Sequence, residues 1–562
     1  MNIRLTLLAV AAMVGAAVNA APVVHHGVHR QLLESNKADI VVEMRASPKA
    51  VLESVSTASH GSRGEKISQL VSELEGLASE SQKGIDRILA QESATPLFDA
   101  QHKSWSTNSR IFKGATRELI EKLSALPDVA LIREEVVMDI EKPMFEDDIY
   151  LPDLNTYEWG VERIQARKVW EDGVNGQGVV VANIDTGVRY THEAVSRSMR
   201  KDYNWFDPNN KTALPYDWNG HGTHTMGTIA GWKGIGVAPG AKWAACLGCP
   251  ERCPEFNLVA CGEWMICPTD PKGENKDCSK APHVINNSWG GSGGRPFYQK
   301  VVDAWHAAGI IPIFSAGNSG PECSTAGSPG DYVNVIGVGA TAIDDSLASF
   351  SSRGATVDNR VKPDISAPGR SVRSAWMDGD ASYKSISGTS MAAPHVTGAV
   401  ALILANQPGI KFDALRDVLI KTTDQSTLVA TGQTCGGTAD KTWPNNMYGH
   451  GRINVFGAYQ GFRLTPAPTT PAPTTSAPVT PAPTPKPTTP APTTAQPTPA
   501  PTTAKPTPPP TTVKPTPPPT PAPTPAPTAE PGFCGNFYNK HSCQFWFWCN
   551  WDKINNRCVK RF

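Results

Sequence analysis

Hydrophobic and polar positions change their period along the chain, and each change predicts a new unit. Within residues 21–150, Ile40–Met44 is typical of a strand, and apolar side chains recur at helical spacing from Ile67 to Leu89. Ala115–Leu123 predicts a second helix, and Leu131–Ile140 predicts a second strand region. We therefore expect a small α+β domain here, and nothing in it assembles a catalytic set.

From residue 151 to residue 462, apolar strands alternate with helical segments. This order predicts an α/β domain built on a mainly parallel sheet flanked by helices. Three of the strands run into polar or glycine-rich segments, which carry Asp185, Ser288 and Asn318. Because reactive groups in open parallel sheets gather beyond the carboxyl ends of the strands, we expect these side chains at one edge of the sheet.

Two further units follow the predicted α/β domain. Residues 463–531 are almost wholly Pro, Thr and Ala, which favours extended polyproline II and an O-glycosylated stalk. Residues 532–562 are too few to build a sufficient core, so we expect two disulfides to hold them as a small module. An exposed aromatic patch indicates a binding surface. The aromatic side chains of this module are Phe537, Tyr538, Phe545, Trp546, Phe547, Trp548 and Trp551.

Charge and targeting narrow the class of protein. The chain of 562 residues has 52 acidic and 52 basic side chains, so its charge gives no argument for nucleic acid or an anionic membrane as partner. Residues 1–20 combine Arg4, an apolar run and small residues at the end, which is typical of a secretory signal peptide. No stretch reaches the roughly 20 apolar residues of a membrane span. We expect a soluble protein that is secreted to the extracellular space.

Because secreted proteins fold in an oxidising compartment, we interpret the cysteines as disulfide candidates first and as metal ligands second. They fall into three groups of even size, so each group can close on itself, and the first six allow fifteen pairings among which the sequence does not choose. The groups are Cys246, Cys249, Cys253, Cys261, Cys267 and Cys278; Cys323 and Cys435; and Cys534, Cys543, Cys549 and Cys558.

Ser390 follows the small-residue turn Ser387–Thr389 and precedes an apolar segment, which places it at the start of a buried helix. Unpaired N–H groups at that end favour negative charge beside the hydroxyl. A serine needs a base to become a nucleophile. Asp185 at a strand end, His221 at a helix start and Asn318 after a strand offer the missing groups. The order Asp, His, Ser is one of those known for catalytic triads.

Three blocks of the sequence are similar to the signatures of subtilisin-like serine peptidases: Val181–Val188, Gly220–His224 and Gly388–His395. Gly236–Trp243, followed by cysteines, resembles the bacillopeptidase F branch of that family. The resemblance covers residues 151–462 and implies a serine endopeptidase of the subtilisin-like α/β fold.

The resemblance also implies a role for each residue of the site. Ser390 attacks the scissile carbonyl, His221 transfers the proton, and Asp185 orients the imidazole. Asn318 and the backbone N–H of Ser390 donate to the oxyanion. No cofactor is required for this chemistry.

A substrate groove is implied by the same resemblance. An edge segment that pairs with extended protein or peptide substrates would consist of Ser288, Trp289, Gly290 and Gly291. Gly327 falls at the floor of the primary specificity pocket. We expect broad specificity with large apolar side chains at P1, the substrate residue before the scissile bond.

Residues 21–150 resemble the inhibitory propeptide of the family. The chain would then be a zymogen that is inhibited by its own propeptide and cut between about 142 and 155. Ala230–Val237 is shorter than the calcium-binding loop of many family members and lacks its asparagine-rich ligands. Structural calcium is therefore not supported at that loop, and we predict no metal site.

Some alternatives stay open at this stage. The chain could be a binding protein on an inactive protease scaffold, although the complete set of catalytic side chains argues against this. The stalk and terminal module resemble the architecture of fungal polysaccharide-binding modules, with a different cysteine spacing, which predicts attachment to a polysaccharide such as cell-wall glycan. Asn210 begins a glycosylation sequon in a polar loop. His224 and His395 are expected to have packing roles.

Overall fold

A computed structural model describes residues 22–91, 95–140 and 157–464, and the backbone of two strands at 549–552 and 557–560. The predicted signal peptide, the region of the predicted propeptide cut and the stalk beyond residue 464 lie outside the described residues. In the part of the chain that is described, no helix is long and apolar enough to cross a membrane.

The N-terminal unit is an α+β domain, as its periodicity predicts. Its elements are β1 (Val23–Val24), α1 (His26–Ser35), β2 (Lys37–Met44), α2 (Lys49–Thr57), α3 (Arg63–Ser81), α4 (Lys83–Leu89), β3 (Ala100–Ser104), β4 (Ser109–Thr116), α5 (Arg117–Ser124), β5 (Val129–Glu134) and β6 (Val137–Ile140). The sheet has the strand order β1-β5-β2-β4-β3.

One predicted helix and one predicted strand region in this unit are each divided in two. The single helix expected from Ile67 to Leu89 is split into α3 and α4 at Gln82, whose buried side chain bonds to the carbonyls of Ser104 and Ser109. The strand region expected at Leu131–Ile140 is two strands, because β6 leaves the sheet. Both differences arise from contacts distant in sequence, which local periodicity does not report.

The two faces of β2 pack into different cores. Ile40 and Val42 belong to the core of the N-terminal unit, whereas Val41 belongs to a second core that is shared with the next domain. This alternation follows from the two-residue period of a strand. Leu52 of α2 and Leu70 of α3 pack in the shared core as well. The N-terminal unit is therefore docked on the larger domain through apolar side chains.

The larger domain contains the elements α6 (Trp159–Arg163), α7 (Ala166–Glu171), β7 (Val180–Asp185), β8 (Trp205–Phe206), α8 (His221–Ala230), β9 (Lys242–Leu247), β10 (Cys253–Pro254), α9 (Glu255–Ile266), β11 (Val284–Asn287), β12 (Trp289–Gly290), α10 (Gln299–Ala307), β13 (Ile311–Ser315), β14 (Ile336–Thr341), β15 (Ile365–Pro368), β16 (Val372–Ala375), β17 (Tyr383–Ile386), α11 (Thr389–Asn406), α12 (Phe412–Lys421), β18 (Thr434–Cys435), β19 (Thr438–Ala439) and α13 (Val455–Leu464).

Seven strands form one sheet in the order β15-β14-β13-β11-β7-β9-β8, and every pairing in it is parallel. Such sheets carry apolar side chains on both faces because helices cover both. In β7, Val181 packs in the core that contains α11, while Ile184 packs in the core that contains α9 and α10. The predicted α/β fold with a parallel sheet flanked by helices is confirmed.

A small three-stranded sheet joins the two domains. β6 of the N-terminal unit pairs antiparallel with β10 on one side and with β12 on the other. Both partners belong to the larger domain, so β6 lies in a groove between two of its strands.

Four disulfides occur among the described residues: Cys246–Cys261, Cys249–Cys253, Cys267–Cys278 and Cys323–Cys435. Each bond stays within its predicted group. Of the terminal group, Cys534 and Cys543 lie outside the described residues. Cys549 and Cys558 belong to β20 (Cys549–Asp552) and β21 (Arg557–Lys560), an antiparallel pair that is described through its backbone.

Candidate active site

Three predicted site residues lie at the carboxyl ends of neighbouring strands. Asp185 is the last residue of β7, Ser288 follows β11 directly, and Asn318 lies shortly after β13. These strands are adjacent in the sheet, so their ends meet at one edge. His221 and Ser390 come to the same edge from the starts of α8 and α11.

Asp185 and His221 form a buried pair. Nδ1 of His221 lies 2.7 Å from Oδ1 of Asp185, and both side chains are almost fully inaccessible. The Asp185 carboxylate also accepts the backbone N–H of Thr186 at 2.7 Å and the hydroxyl of Thr225 at 3.3 Å. These bonds fix the direction of the carboxylate, and the carboxylate in turn fixes the imidazole ring.

Asp217 supports this pair and was not predicted from the sequence. Its carboxylate accepts the hydroxyl of Thr186 at 2.9 Å, the backbone N–H groups of Asn219 and Gly220, and both the N–H and the hydroxyl of Thr223. Desolvation raises the pKa of the Asp217 carboxyl, while these hydrogen bonds oppose the shift. The signal that could have found it is an Asp at the start of an Asn-Gly turn before a helix.

The start of α8 is shaped by the glycine before His221. Gly220 has a φ of 100°, in the left-handed region that favours glycine. A Cβ there would also lie 2.6 Å from the Trp376 ring. A glycine at this position therefore allows the sharp turn that presents His221 as the first residue of the helix.

Ser390 lies in the first turn of α11 and is fully buried beneath the groove. Its hydroxyl donates to the carbonyl oxygen of Ser288 at 3.3 Å, and the Ser288 hydroxyl donates to the carbonyl of Ser390 at 3.0 Å. The two serines thus hold the helix start against the end of β11. The structure brings Asp185, His221, Ser288 and Ser390 into one region.

The Asn318 amide is oriented by Thr389. Its Oδ1 accepts the backbone N–H of Thr389 at 2.9 Å and the Thr389 hydroxyl at 2.8 Å. Because the carboxamide is planar, these bonds also fix the direction of Nδ2. A Cβ on Gly388 would approach Nδ2 to 3.2 Å, so the glycine keeps space beside the amide next to Ser390.

His224 and His395 have the packing roles expected of them. Nε2 of His224 lies 2.9 Å from the Val372 carbonyl oxygen, and Nδ1 of His395 lies 2.8 Å from the Met391 carbonyl oxygen. Burial lowers the pKa of His224 to about 3 and that of His395 to about 4. Both rings are therefore neutral near neutral pH.

The groove beside Ser390 is lined by backbone and by small residues. The Trp289 ring is buried against Tyr298 and Phe314, so β12 presents its backbone to β6. A Cβ on Gly291 would lie 2.7 Å from the Met138 sulfur of β6, so this glycine makes room for that side chain.

Gly327 lies close to the same groove. Its N–H donates to the carbonyl of Ala316 at 2.9 Å, and a Cβ would lie 2.5 Å from the Gly291 carbonyl oxygen. Gly327, the residue predicted to form the pocket floor, therefore lies beside Gly291, which directly follows β12.

The loop after α8 is the segment in which the sequence does not support a calcium site. Between Gly231 and Val237 it carries no carboxylate, and the Lys233 amino group lies 3.6 Å from Glu193. In the described ranges, no group of three or more His, Cys, Asp or Glu side chains could hold a metal ion. The sequon residue Asn210 is exposed.

Comparison with known proteins gives consistent matches. A family model described as the subtilase family matches residues 176–451. Bacillopeptidase F of Bacillus subtilis (strain 168) is 35% identical over 430 residues, which cover 70% of this chain and 28% of that protein. Subtilisin DY of Bacillus licheniformis is 33% identical over 319 residues, 54% of this chain and 99% of that protein. Serine protease AprX of Bacillus subtilis (strain 168) is 29% identical over 442 residues, 70% of this chain and 88% of that protein. The chain thus spans little more than a quarter of the length of bacillopeptidase F.

Proposed function

The chain belongs to the subtilase family of serine endopeptidases, and from that premise we propose that it is a secreted zymogen whose triad is Asp185, His221 and Ser390. The observation that carries this proposal is the buried 2.7 Å contact between His221 and Asp185 at the sheet edge where α11 presents Ser390. Members of this family need no cofactor for catalysis.

In the proposed mechanism each of these groups has one role. His221 removes the proton from the Ser390 hydroxyl, which attacks the scissile carbonyl carbon, and later donates that proton to the leaving amine. Asp185 holds Nδ1 of the ring protonated and stabilises the imidazolium. The Asn318 amide and the Ser390 N–H donate to the oxyanion as it forms. Asp217 acts indirectly, because it holds the turn that leads to His221.

We propose that residues 21–150 are an inhibitory propeptide. The support is the pairing of β6 with both β10 and β12, because a strand in that position blocks an extended substrate from the same backbone groups. In this interpretation β6 occupies the groove as a substrate would. The predicted cut between about 142 and 155 lies in a region outside the described residues.

Charged contacts between the two domains support the same proposal. Arg133 of β5 forms a bidentate pair with Glu255 at 2.7 and 2.8 Å, and Glu255 is buried. On the same helix, Glu263 lies 2.8 Å from His102. Two carboxylates of α9 therefore hold the β-sheet of the N-terminal unit, in addition to the shared apolar core.

Specificity is proposed to centre on large apolar P1 side chains. The support is that Gly327 adds no side chain and no charge beside the groove. A library of peptides varied at P1 tests this, since cleavage confined to Lys or Arg at P1 would contradict it.

The C-terminal units are proposed to attach the enzyme to a polysaccharide. The support is the aromatic content of residues 532–562 at the end of a long proline-rich stalk. Binding of the Ser390→Ala chain to cellulose and to chitin, with and without residues 532–562, tests the idea. Equal retention of the two proteins on these polymers, or no retention of either protein, would contradict the proposed attachment.

Processing of the precursor tests the zymogen proposal. If the cut is autocatalytic, the wild-type chain loses its N-terminal unit on secretion, and the Ser390→Ala chain keeps it. Sequencing the mature N-terminus gives the site of the cut. Normal processing of the Ser390→Ala chain in a host without endogenous proteases would contradict autocatalysis.

A further inference from the structure

Arg252 lies in a short loop at the edge of the groove opposite β12. The Cys249–Cys253 disulfide closes this loop, and the Trp218 indole N–H donates to the Cys249 carbonyl at 2.9 Å. Cys253 is itself the residue of β10 that pairs with Met138 of β6. The loop is thus fixed at both ends immediately beside the groove strand.

The Arg252 guanidinium binds a carboxylate of β6 in a bidentate manner. Nε lies 2.6 Å from Oδ1 of Asp139, and Nη2 lies 2.9 Å from Oδ2. Planar two-point contacts of this kind add geometric specificity to the attraction of charges. Both side chains are on the open side of the groove, with 57% and 64% of their surfaces exposed. The disulfide loop therefore aims a cation at one defined position along the groove.

Strand register assigns that position. Ile140 pairs with Trp289, and Asp139 pairs with Gly290. The residue before Trp289 is Ser288, whose carbonyl oxygen accepts the Ser390 hydroxyl. We take the substrate residue opposite Ser288 as P1, because the carbonyl of Ser288 contacts the Ser390 hydroxyl. With the register of β6, the residue opposite Trp289 is then P2 and the one opposite Gly290 is P3. Asp139 therefore occupies the P3 position.

We propose that Arg252 is a specificity-determining residue that selects substrates with a carboxylate side chain at P3. The inference rests on the proposed function, because it takes β6 to lie in the groove as a substrate does. Selection is moderate because exposed ion pairs are weak in water. With the bidentate geometry, we expect a preference of about three- to fivefold in kcat/KM for Asp over Asn at P3.

Fluorogenic peptides that differ only at P3 test the proposal on the processed full-length enzyme. Wild type should cleave the Asp peptide about three- to fivefold better than the Asn peptide, mainly through a lower KM, because the contact is the same in ground and transition states. Arg252→Gln should bring the ratio close to one. Arg252→Glu should prefer Lys over Asp at P3.

A matched control separates this effect from a general change of charge. Arg197 is an exposed arginine that lies over the Trp232 ring and contacts no residue of β6 among the described ion pairs and hydrogen bonds. Arg197→Gln should leave the Asp-to-Asn ratio at its wild-type value. High salt should reduce the wild-type ratio, because an exposed pair is screened.

Two negative outcomes have different meanings. Equal cleavage of the Asp and Asn peptides by wild type, or an unchanged ratio in Arg252→Gln, overturns the role of Arg252 and leaves the protease intact. Failure to cleave any peptide, or equal cleavage by Ser390→Ala, overturns the proposed function and the inference with it.

Discussion

The Asn318 side chain shows how neighbouring residues orient a group of the proposed active site. Both hydrogen bonds to its Oδ1 come from Thr389, the residue before the nucleophile, so the amide and Ser390 are held by one short segment. Asp217 does the same for His221 through the turn at Asn219 and Gly220. Polar neighbours that have no role in the proposed chemistry thus position Asn318 and His221.

Replacing Asn318 by Ala should lower kcat by about 10²–10³, the typical loss when the oxyanion donor of subtilisin is removed. The physical reason is that the developing negative charge on the carbonyl oxygen loses a fixed donor. KM should change little, because the donor acts mainly in the transition state. Steady-state kinetics on one peptide, with thermal unfolding as the control for folding, measure this. A kcat within threefold of wild type would exclude Asn318 from the oxyanion site.

Burial of neutral histidines predicts a pH dependence of stability. The pKa of His395 is lowered from 6.5 to about 4, so between these values the unfolded chain binds a proton that the folded chain does not. Stability therefore rises with pH in this window and is lost as pH falls from 6.5 towards 4.

His395→Gln in a Ser390→Ala background should make the free energy of unfolding less dependent on pH. The slope should fall by up to about 1.4 kcal/mol per pH unit in that window, the linkage of one proton. Denaturant unfolding at a series of pH values measures it. An unchanged slope would mean that His395 is protonated in the folded state.

At the residue scale, the site residues that the sequence could predict are those that lie in a recognisable local motif. Ser390, His221 and Asp185 each lie in a short block with glycine or small neighbours, and the structure brings them to one edge. Asp217 was missed because its role comes from five hydrogen bonds that form only when the turn folds. Arg252 was missed because its partner lies 113 positions earlier in the chain.

Individual helices and strands could be predicted where one hydrophobic period persists along the element. They could not be predicted where a strand pairs with strands of another domain. β7 is a buried and mostly apolar strand, and α11 is an apolar helix with Ser390 in its first turn. The polar start of α11 was predicted to begin a helix because a small-residue turn precedes it. In contrast, β6 has four residues and no sheet of its own, since both of its partners belong to the other domain.

The Cys323–Cys435 disulfide joins elements that are 112 residues apart. Removing it by a double substitution with Ser, in a Ser390→Ala background, should lower the free energy of unfolding by about 3–5 kcal/mol, because closing a long loop restricts the unfolded chain strongly. The matched control is the Cys249–Cys253 bond, whose separation is 4 residues. Its removal should cost about 2 kcal/mol by the same relation. Equal losses from the two double variants would contradict this account.

Across the whole molecule, the N-terminal unit is held by one apolar core and by several charged contacts, while β6 fills the groove. The shared core contains Ile67 and Leu74 of α3 together with Trp305 of α10. The periodicity of the sequence predicted two separate units, and the resemblance implied that the first inhibits the second. Neither predicted a shared apolar core, because the apolar residues of α3 are equally consistent with a core of their own. The two faces of β2 pack in different cores, and the core on one face is shared with the larger domain.

Glu255 is the charged contact expected to matter most for retention of the propeptide. Glu255→Gln leaves Arg133 with a weaker partner in a buried setting, so propeptide affinity should fall by about 30-fold or more, corresponding to about 2 kcal/mol or more. A faster onset of activity after processing, followed with a fluorogenic peptide, measures this. Lys276→Gln is the control, because its pair with Glu75 is half exposed and should contribute little. Equal onset rates for the two variants would contradict the predicted role of Glu255.

Labelling with a fluorophosphonate probe is the most direct test that Ser390 is the nucleophile. The probe reacts with serines that are activated by a neighbouring base, and mass spectrometry of the labelled peptide locates the modified residue. We predict that the processed wild-type enzyme is labelled at Ser390 and that the Ser390→Ala chain is not labelled. Absence of label in the processed wild type, or modification of another serine such as Ser288, would contradict the account.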